Sequence, residues 1–147
     1  MPSINSPIGP LGPLLQVIVG VSQPRQRALL AAGKTVPSGV TGQFLVDTGA
    51  SLTCVDPGLI KPLNLQPTSA AMIHTPSTNG QAQACFQYDA MLFIPGSNPG
   101  QGYIIDAIPI IETELKSQGI DGLLGRDILS RCTLIYNSSL AMFTLAY

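Results

Sequence analysis

The chain has 147 residues, enough for one domain with a real core; 45% are hydrophobic, only 10% are charged, and the net charge is −1. There is no basic cluster to track phosphates, so nucleic-acid binding is not expected, and so little charge implies apolar surface hidden in a partner. Thirteen Pro, fifteen Gly and no Trp indicate many turns and short strands, the composition of an all-β fold.

Residues 1–13 (MPSINSPIGPLGP) are rich in Pro, Gly and Ser and read as a flexible N-terminal segment, leaving 14–147 as a single domain. LLQVIVGVS, from Leu14, is a first strand. The longest apolar stretch there, Leu14–Val21, is too short to span a bilayer and follows no basic n-region, so no membrane association is expected. Residues 23–39 carry Arg25, Arg27 and Lys34 and a helix-compatible stretch, Arg25–Ala32, stopped by Gly33. They read as an exposed loop or one helical turn inserted in the first hairpin. VTGQFLVDTGAS returns as the second strand, and the segment after it is broken by Pro57 and Pro62. Residues 69–95 form a long hairpin with its turn in His74–Gly80. Residues 96–102 are a further turn into YIIDAIPIIE, RDILSRC is a single short helix, and the chain closes as a hairpin around Asn137–Ser139.

Cys54, Cys85 and Cys132 are odd in number, widely spaced and without a C-x-x-C pair, and His74 is the sole histidine. No metal and no cofactor is expected; the thiols read as buried and reduced, in a cytoplasmic compartment.

Residues 44–51, FLVDTGAS, carry the chemistry. Phe44, Leu45 and Val46 read as a short buried strand delivering one carboxylate, Asp47. Burial normally excludes an Asp, because an unpaired ionised carboxylate loses its hydration. Such a residue at the end of an apolar strand is shifted in pKa, partnered or functional. The plain alternative is an Asp that opens an Asx-type turn. Thr48 can hydrogen-bond backbone, and Gly49 permits close approach where the chain turns.

The second half adds IDGLLGRDIL, residues 120–129. Together the two motifs resemble the retropepsin-like aspartic proteases, in which Asp-Thr-Gly is followed about half a domain later by two hydrophobics, Gly, Arg and Asn or Asp. The likeness spans roughly residues 13–147 and is nearer to cellular and bacterial members than to viral ones. It implies a small closed β-barrel or sandwich with a flap hairpin and one short C-terminal helix. It also implies an aspartic endopeptidase acting on an extended polypeptide, with Asp47 catalytic. Thr48 then braces the dyad across the dimer, and the Gly49 carbonyl meets substrate backbone. Leu45 and Leu123 line pockets beside the cleaved bond, or serve only as core. Ser51 lies at the substrate end, and His74, Thr75, Pro76, Ser77, Thr78 and Asn79 make the flap tip, with His74 itself more simply read as solvated. Gly125, Arg126 and Asp127 support the site.

The chain holds one Asp-Thr-Gly and no internal repeat. Aspartic chemistry needs two carboxylates sharing one proton over one water. The second is therefore expected from a symmetry mate, in an obligate C2 homodimer. Pairing Asp47 with Asp56, Asp89, Asp106, Asp121 or Asp127 of the same chain is the alternative. Viral members usually carry an Asp at the position of Ser51, where it pairs with the arginine of the second motif. Here Arg126 is left to seek Asp127 or the partner chain, and the flap has Pro76 and a single Gly80. The terminal LAMFTLAY is expected to interleave with the partner's strands, or else to lie within its own monomer. A catalytically silent retropepsin-fold module that binds peptide or dimerises is the alternative function.

Overall fold

The computed structural model describes residues 1–74 and 79–147. Its ten strands are β1 (Ser3–Gly9), β2 (Gly12–Val21), β3 (Val40–Val46), β4 (Cys54–Val55), β5 (Ser69–His74), β6 (Ala82–Pro95), β7 (Gly102–Glu112), β8 (Gly122–Leu124), β9 (Thr133–Asn137) and β10 (Met142–Ala146). Three short helices join them: α1 (Gln23–Ala31), α2 (Pro57–Ile60) and α3 (Arg126–Leu129). The β-rich expectation and the C-terminal helix are both present.

Six strands close on themselves. Pairing runs β2–β3–β8–β4–β7–β6 and returns from β6 to β2, so no edge of the barrel is left open. The side-chain period of two explains the interior. Val17, Val19 and Val21 of β2, Phe44 and Val46 of β3, and Ala90, Leu92 and Ile94 of β6 all point inward and are buried. β6 and β7 form the longest ladder, from Gln87↔Ile111 to Pro95↔Gly102, with an irregularity between Ala90 and Leu92. Such a bulge bends the strand, which a small barrel requires. Beyond the barrel, β6 continues to pair with β5, from Ser69↔Gln87 to His74↔Ala82. That is the expected hairpin.

The N-terminal expectation needs correction. Within residues 1–13, Ser3–Gly9 is a strand, paired with β10 from Ser3↔Ala146 to Pro7↔Met142. Composition pointed to disorder because Pro2, Pro7 and Pro10 weaken a strand. Here the strand is covered by a long-range partner that no local signal reveals. The same pairing settles the terminal strand within this chain: β10 lies between β1 and β9, with Phe143 and Leu145 buried in the monomer's own core. LAMFTLAY thus pairs within the chain, in a sheet whose outer strand is β9.

The insertion of residues 23–39 is a nine-residue helix rather than a loop or single turn. Gln26 donates from its backbone N–H to the Ser22 carbonyl (2.9 Å) and from Nε2 to the Val21 carbonyl (2.7 Å), fastening the helix to the end of β2. No helix among the described residues is long and apolar enough to cross a membrane.

Candidate active site

Asp47 follows the last residue of β3. The strand's parallel partner β8 holds it in register, Val46↔Leu124, and the Asp47 N–H donates to the Leu124 carbonyl at 3.1 Å. The chain then turns sharply. The Gly49 N–H donates to Asp47 Oδ1 at 2.8 Å, and the Ala50 N–H reaches the Asp47 carbonyl at 3.3 Å. Asp47 is half-buried, while Thr48 and Gly49 are exposed. The turn anticipated as the plain reading of Asp47 therefore exists. The Gly49 bond in that turn also holds the carboxylate in place.

The second motif lies against this loop. Gly125 is obligatory there: a Cβ at this position would stand 2.5 Å from the Leu52 backbone carbon and 2.9 Å from the Thr53 nitrogen. Arg126 clasps the Asp47 loop from its own backbone and side chain. Its N–H donates to the Ala50 carbonyl (2.9 Å), Nη1 to the Thr48 carbonyl (3.2 Å) and Nη2 to Ser51 Oγ (2.8 Å). Within the chain Arg126 thus bonds Ala50, Thr48 and Ser51 rather than Asp127. A hydroxyl and a carbonyl serve it, with less charge assistance than a carboxylate gives.

Asp127 has a different task. Its Oδ2 accepts from the Thr53 N–H and its Oδ1 from the Thr53 hydroxyl, both at 2.8 Å. That hydroxyl oxygen in turn accepts from the Gly125 N–H at 3.1 Å. Thr53, wholly buried, is therefore the polar rivet between the two motifs. Sequence reasoning missed it. The available signal was a polar residue standing next to Cys54 and Val55 in an otherwise apolar stretch.

Asp56 was also underrated. It is buried, caps α2 by accepting from the Gly58 N–H (2.8 Å), and takes the N–H groups of Leu115 and Lys116 on Oδ2 (2.9 Å each). Burial alone would raise its carboxyl pKa, but the Leu115, Gly58 and Lys116 N–H groups and the Lys116 charge together hold it below the ordinary value. Asp121 accepts from the Gln43 N–H at 2.8 Å and pairs with Lys116 at 2.5 Å. Asp56, Asp121 and Asp127 are each engaged in this way.

Leu45 and Leu123 face each other across β3 and β8. Both are partly buried against a small cluster that is separate from the main core, together with Leu14, Ala71, Ile73 and Cys85. Ala71, Ile73 and Cys85 come from the β5–β6 hairpin, so this apolar surface runs from beside Asp47 to the base of the flap hairpin. Burial raises the thiol pKa of Cys54 and of Cys85, which keeps both protonated near neutrality. His74 is exposed at the end of β5, and Asn79 sits in the turn with φ of 50°. Thr75, Pro76, Ser77 and Thr78 lie outside the described residues.

A family model described as aspartyl protease matches residues 33–128, a span holding both motifs and the loops that join them. The chain belongs to the aspartyl protease family. The fold has a solved counterpart: a retropepsin-like aspartic protease from Rickettsia conorii superposes with a TM-score of 0.57 at 15% identity, over 99% of this chain and 90% of that one. At that identity the likeness speaks for the retropepsin-like architecture. No curated protein matches the chain in sequence. In this member of the family, α1 precedes the span that the family model covers, and β9 and β10 follow it.

Proposed function

We propose that the chain is an aspartic endopeptidase that works as a C2 homodimer, with Asp47 from each subunit forming the catalytic pair. The observation that carries this reading is the state of the carboxylates. Asp47 stands half-buried at a barrel strand end with Oδ1 held by the Gly49 N–H. Asp56, Asp121 and Asp127 are committed to backbone N–H groups, Lys116 and Thr53. With these three engaged, the reading takes the second acid from another copy of the chain.

Two such carboxylates about 3 Å apart cannot both ionise, so the pair holds one proton. The ionised member removes a proton from the water as it attacks the scissile carbonyl, and the protonated member donates to the carbonyl oxygen. The tetrahedral diol collapses as a proton passes to the leaving amine, with no acyl-enzyme. In this reading Thr48, exposed beside Asp47, braces the pair across the axis. Leu45 and Leu123 favour apolar side chains next to the cut bond, and the β5–β6 hairpin covers an extended substrate bound as an added strand.

The outer sheet supports dimerisation. The β1–β10–β9 extension leaves the barrel at Gly12–Pro13, beside Leu14, whose partner Leu45 is two residues before Asp47. Its outer strand β9 exposes Ile135 and Tyr136, each 56% accessible, and an unpaired edge. Such an edge invites a second copy.

The deciding experiment is digestion of an unbiased peptide library by the wild-type chain and by Asp47→Asn, from mildly acidic to neutral pH, read by mass spectrometry. Cleavage by the wild type alone establishes the dyad. Equal cleavage by both sinks the role of Asp47. Absence of cleavage by a demonstrably dimeric preparation favours a silent peptide-binding module.

A further inference from the structure

The endopeptidase reading leaves one built feature unused: the insertion between β2 and β3. These strands pair as far as Val19↔Val40, so residues 20–39 form a long excursion from one hairpin. Its helix α1 fully buries no side chain, Leu29 alone packing partly against the core, and Leu30 is 64% exposed. It contributes little to the core, yet it is tied at both ends. Gln26 fastens the start to β2, as described above. At the other end Gly33, at φ of +68°, turns the chain so that the Lys34 N–H donates to the Leu29 carbonyl at 2.9 Å. An exposed helix with both ends secured presents a surface.

That surface is a groove of about 500 Å³ between the insertion and the 3-10 turn Lys61–Leu63. Arg25 and Lys34 stand on it with Leu29, Pro37, Leu63 and Asn64. No acid lines it. Arg27 and Lys61 are near these residues in sequence without lining the groove. The Lys116–Asp121 pair is the one ion pair among the described residues, so Arg25 and Lys34 are unneutralised. Asp89 lines only an adjoining hollow on the other side of Arg25. In a chain of net charge −1 this is a concentrated positive field over an apolar floor.

We propose that this groove is an exosite for the polypeptide substrate, taking an acidic stretch with an apolar side chain seated on Leu29, Pro37 and Leu63 and carboxylates on Arg25 and Lys34. The proposal rests on the endopeptidase reading for the identity of its occupant as substrate. The geometry selects a chain rather than a small anion. Pro37 of the groove lies three residues before β3, and Asp47 follows the last residue of β3, Val46, so the seven-residue strand sets the two sites about 20 Å apart at ~3.3 Å per residue. An extended substrate leaving the cleft covers that distance, and the path around the barrel, in roughly ten residues. Engaging both sites makes the second contact intramolecular and raises effective concentration at the cleft.

The test uses the full chain carrying Asp47→Asn, so that docking is measured without turnover. The probe is a fluorescein-labelled alternating Glu-Leu peptide followed by anisotropy. Saturable binding is expected. Arg25→Glu and Lys34→Glu each weaken it by about tenfold, whereas Arg131→Glu, with the same change in net charge, leaves it unchanged. Both groove side chains are exposed, so the substitutions spare the core. In chains with Asp47 intact, Arg25→Glu lowers kcat/KM for a long substrate with an acidic tail and leaves the same substrate without the tail unaffected. No saturable binding, or equal weakening by Arg131→Glu, overturns the exosite. So does displacement by inorganic phosphate as effective as that by unlabelled peptide. Docking without any cleavage sinks the endopeptidase reading instead, and cleavage without docking sinks the exosite alone.

Discussion

Asp47 and Asp56 lie nine residues apart, each at the end of a short strand, and each accepts the N–H two residues on at 2.8 Å. Beyond that shared turn they diverge. Asp56 is buried and takes two more N–H groups, from Leu115 and Lys116. Asp47 stays half-exposed, with only the Gly49 N–H donating to its carboxylate among the described residues. A carboxylate with three N–H partners on two loops is a structural joint, and its removal orphans buried donors. A carboxylate with one such partner and an open side retains lone pairs for water and for a second acid. The sequence context is similar, and the number of donors separates the roles.

Substitution breaks the comparison in opposite senses. Asp47→Asn is expected to lower kcat by about 10³-fold or more, since in the proposed mechanism the group abstracts or supplies the proton in every turnover. Urea unfolding should shift by no more than about 0.5 kcal/mol, because the amide oxygen still accepts from Gly49. Asp56→Ala should do the reverse. It leaves three donors unsatisfied, at a cost of about 3 kcal/mol in urea unfolding, while kcat per folded molecule is retained. Loss of activity without loss of stability in Asp56→Ala would erase the distinction.

Acid sharpens the same contrast. The Asp56 carboxyl is held below its ordinary value, so the folded state binds its proton less readily than the unfolded chain does. Its contribution to stability is therefore complete above the unfolded value of about 3.9 and is lost as pH falls through the folded value. Urea midpoints taken at about pH 6 and about pH 3 should fall more steeply for the wild type than for Asp56→Asn. Parallel falls would mean that the N–H bonds do not favour the ionised form.

Thr53→Val tests the rivet between the motifs. The substitution keeps the shape but removes the hydroxyl that Asp127 and Gly125 share. Destabilisation of about 2 kcal/mol is expected, with a drop in kcat if the rivet also sets the position of the Asp47 loop. Unchanged stability would show that the Thr53 N–H bond to Asp127 suffices alone.

Much of this architecture was legible because its signals are local. The alternation of β2, the Gly33 stop after α1, the β5–β6 hairpin and the helix after Gly125 each follow from a few neighbouring residues. Asp47, Gly125 and Arg126 were legible because a motif binds them together. What escaped notice depends on contacts distant in sequence. β1 reads as disordered until Met142–Ala146 pairs with it. Thr53 reads as ordinary until Asp127, 74 residues on, reaches it. Asp56 reads as one acid among several until Leu115 and Lys116 turn their N–H groups toward it. Local pattern names the strands, and closure of the barrel decides which polar side chains become joints.

The smallest effect concerns the link between Arg126 and the Asp47 loop. Ser51 gives the guanidinium a neutral acceptor at 2.8 Å, and both side chains are exposed. Ser51→Asp offers a carboxylate in the same place and converts a neutral bond into a charge-assisted one. Solvent screens an exposed pair, so the gain should be about 0.5 kcal/mol and should shrink as salt is added. Ser51→Ala should cost a similar amount, since Arg126 keeps the Thr48 carbonyl and its backbone bond to Ala50. Urea midpoints ordered Asp above Ser above Ala at low salt, and converging at high salt, would show that the clasp acts through charge. Identical midpoints for the three would assign the clasp to the backbone bonds alone, leaving position 51 free to vary for other reasons.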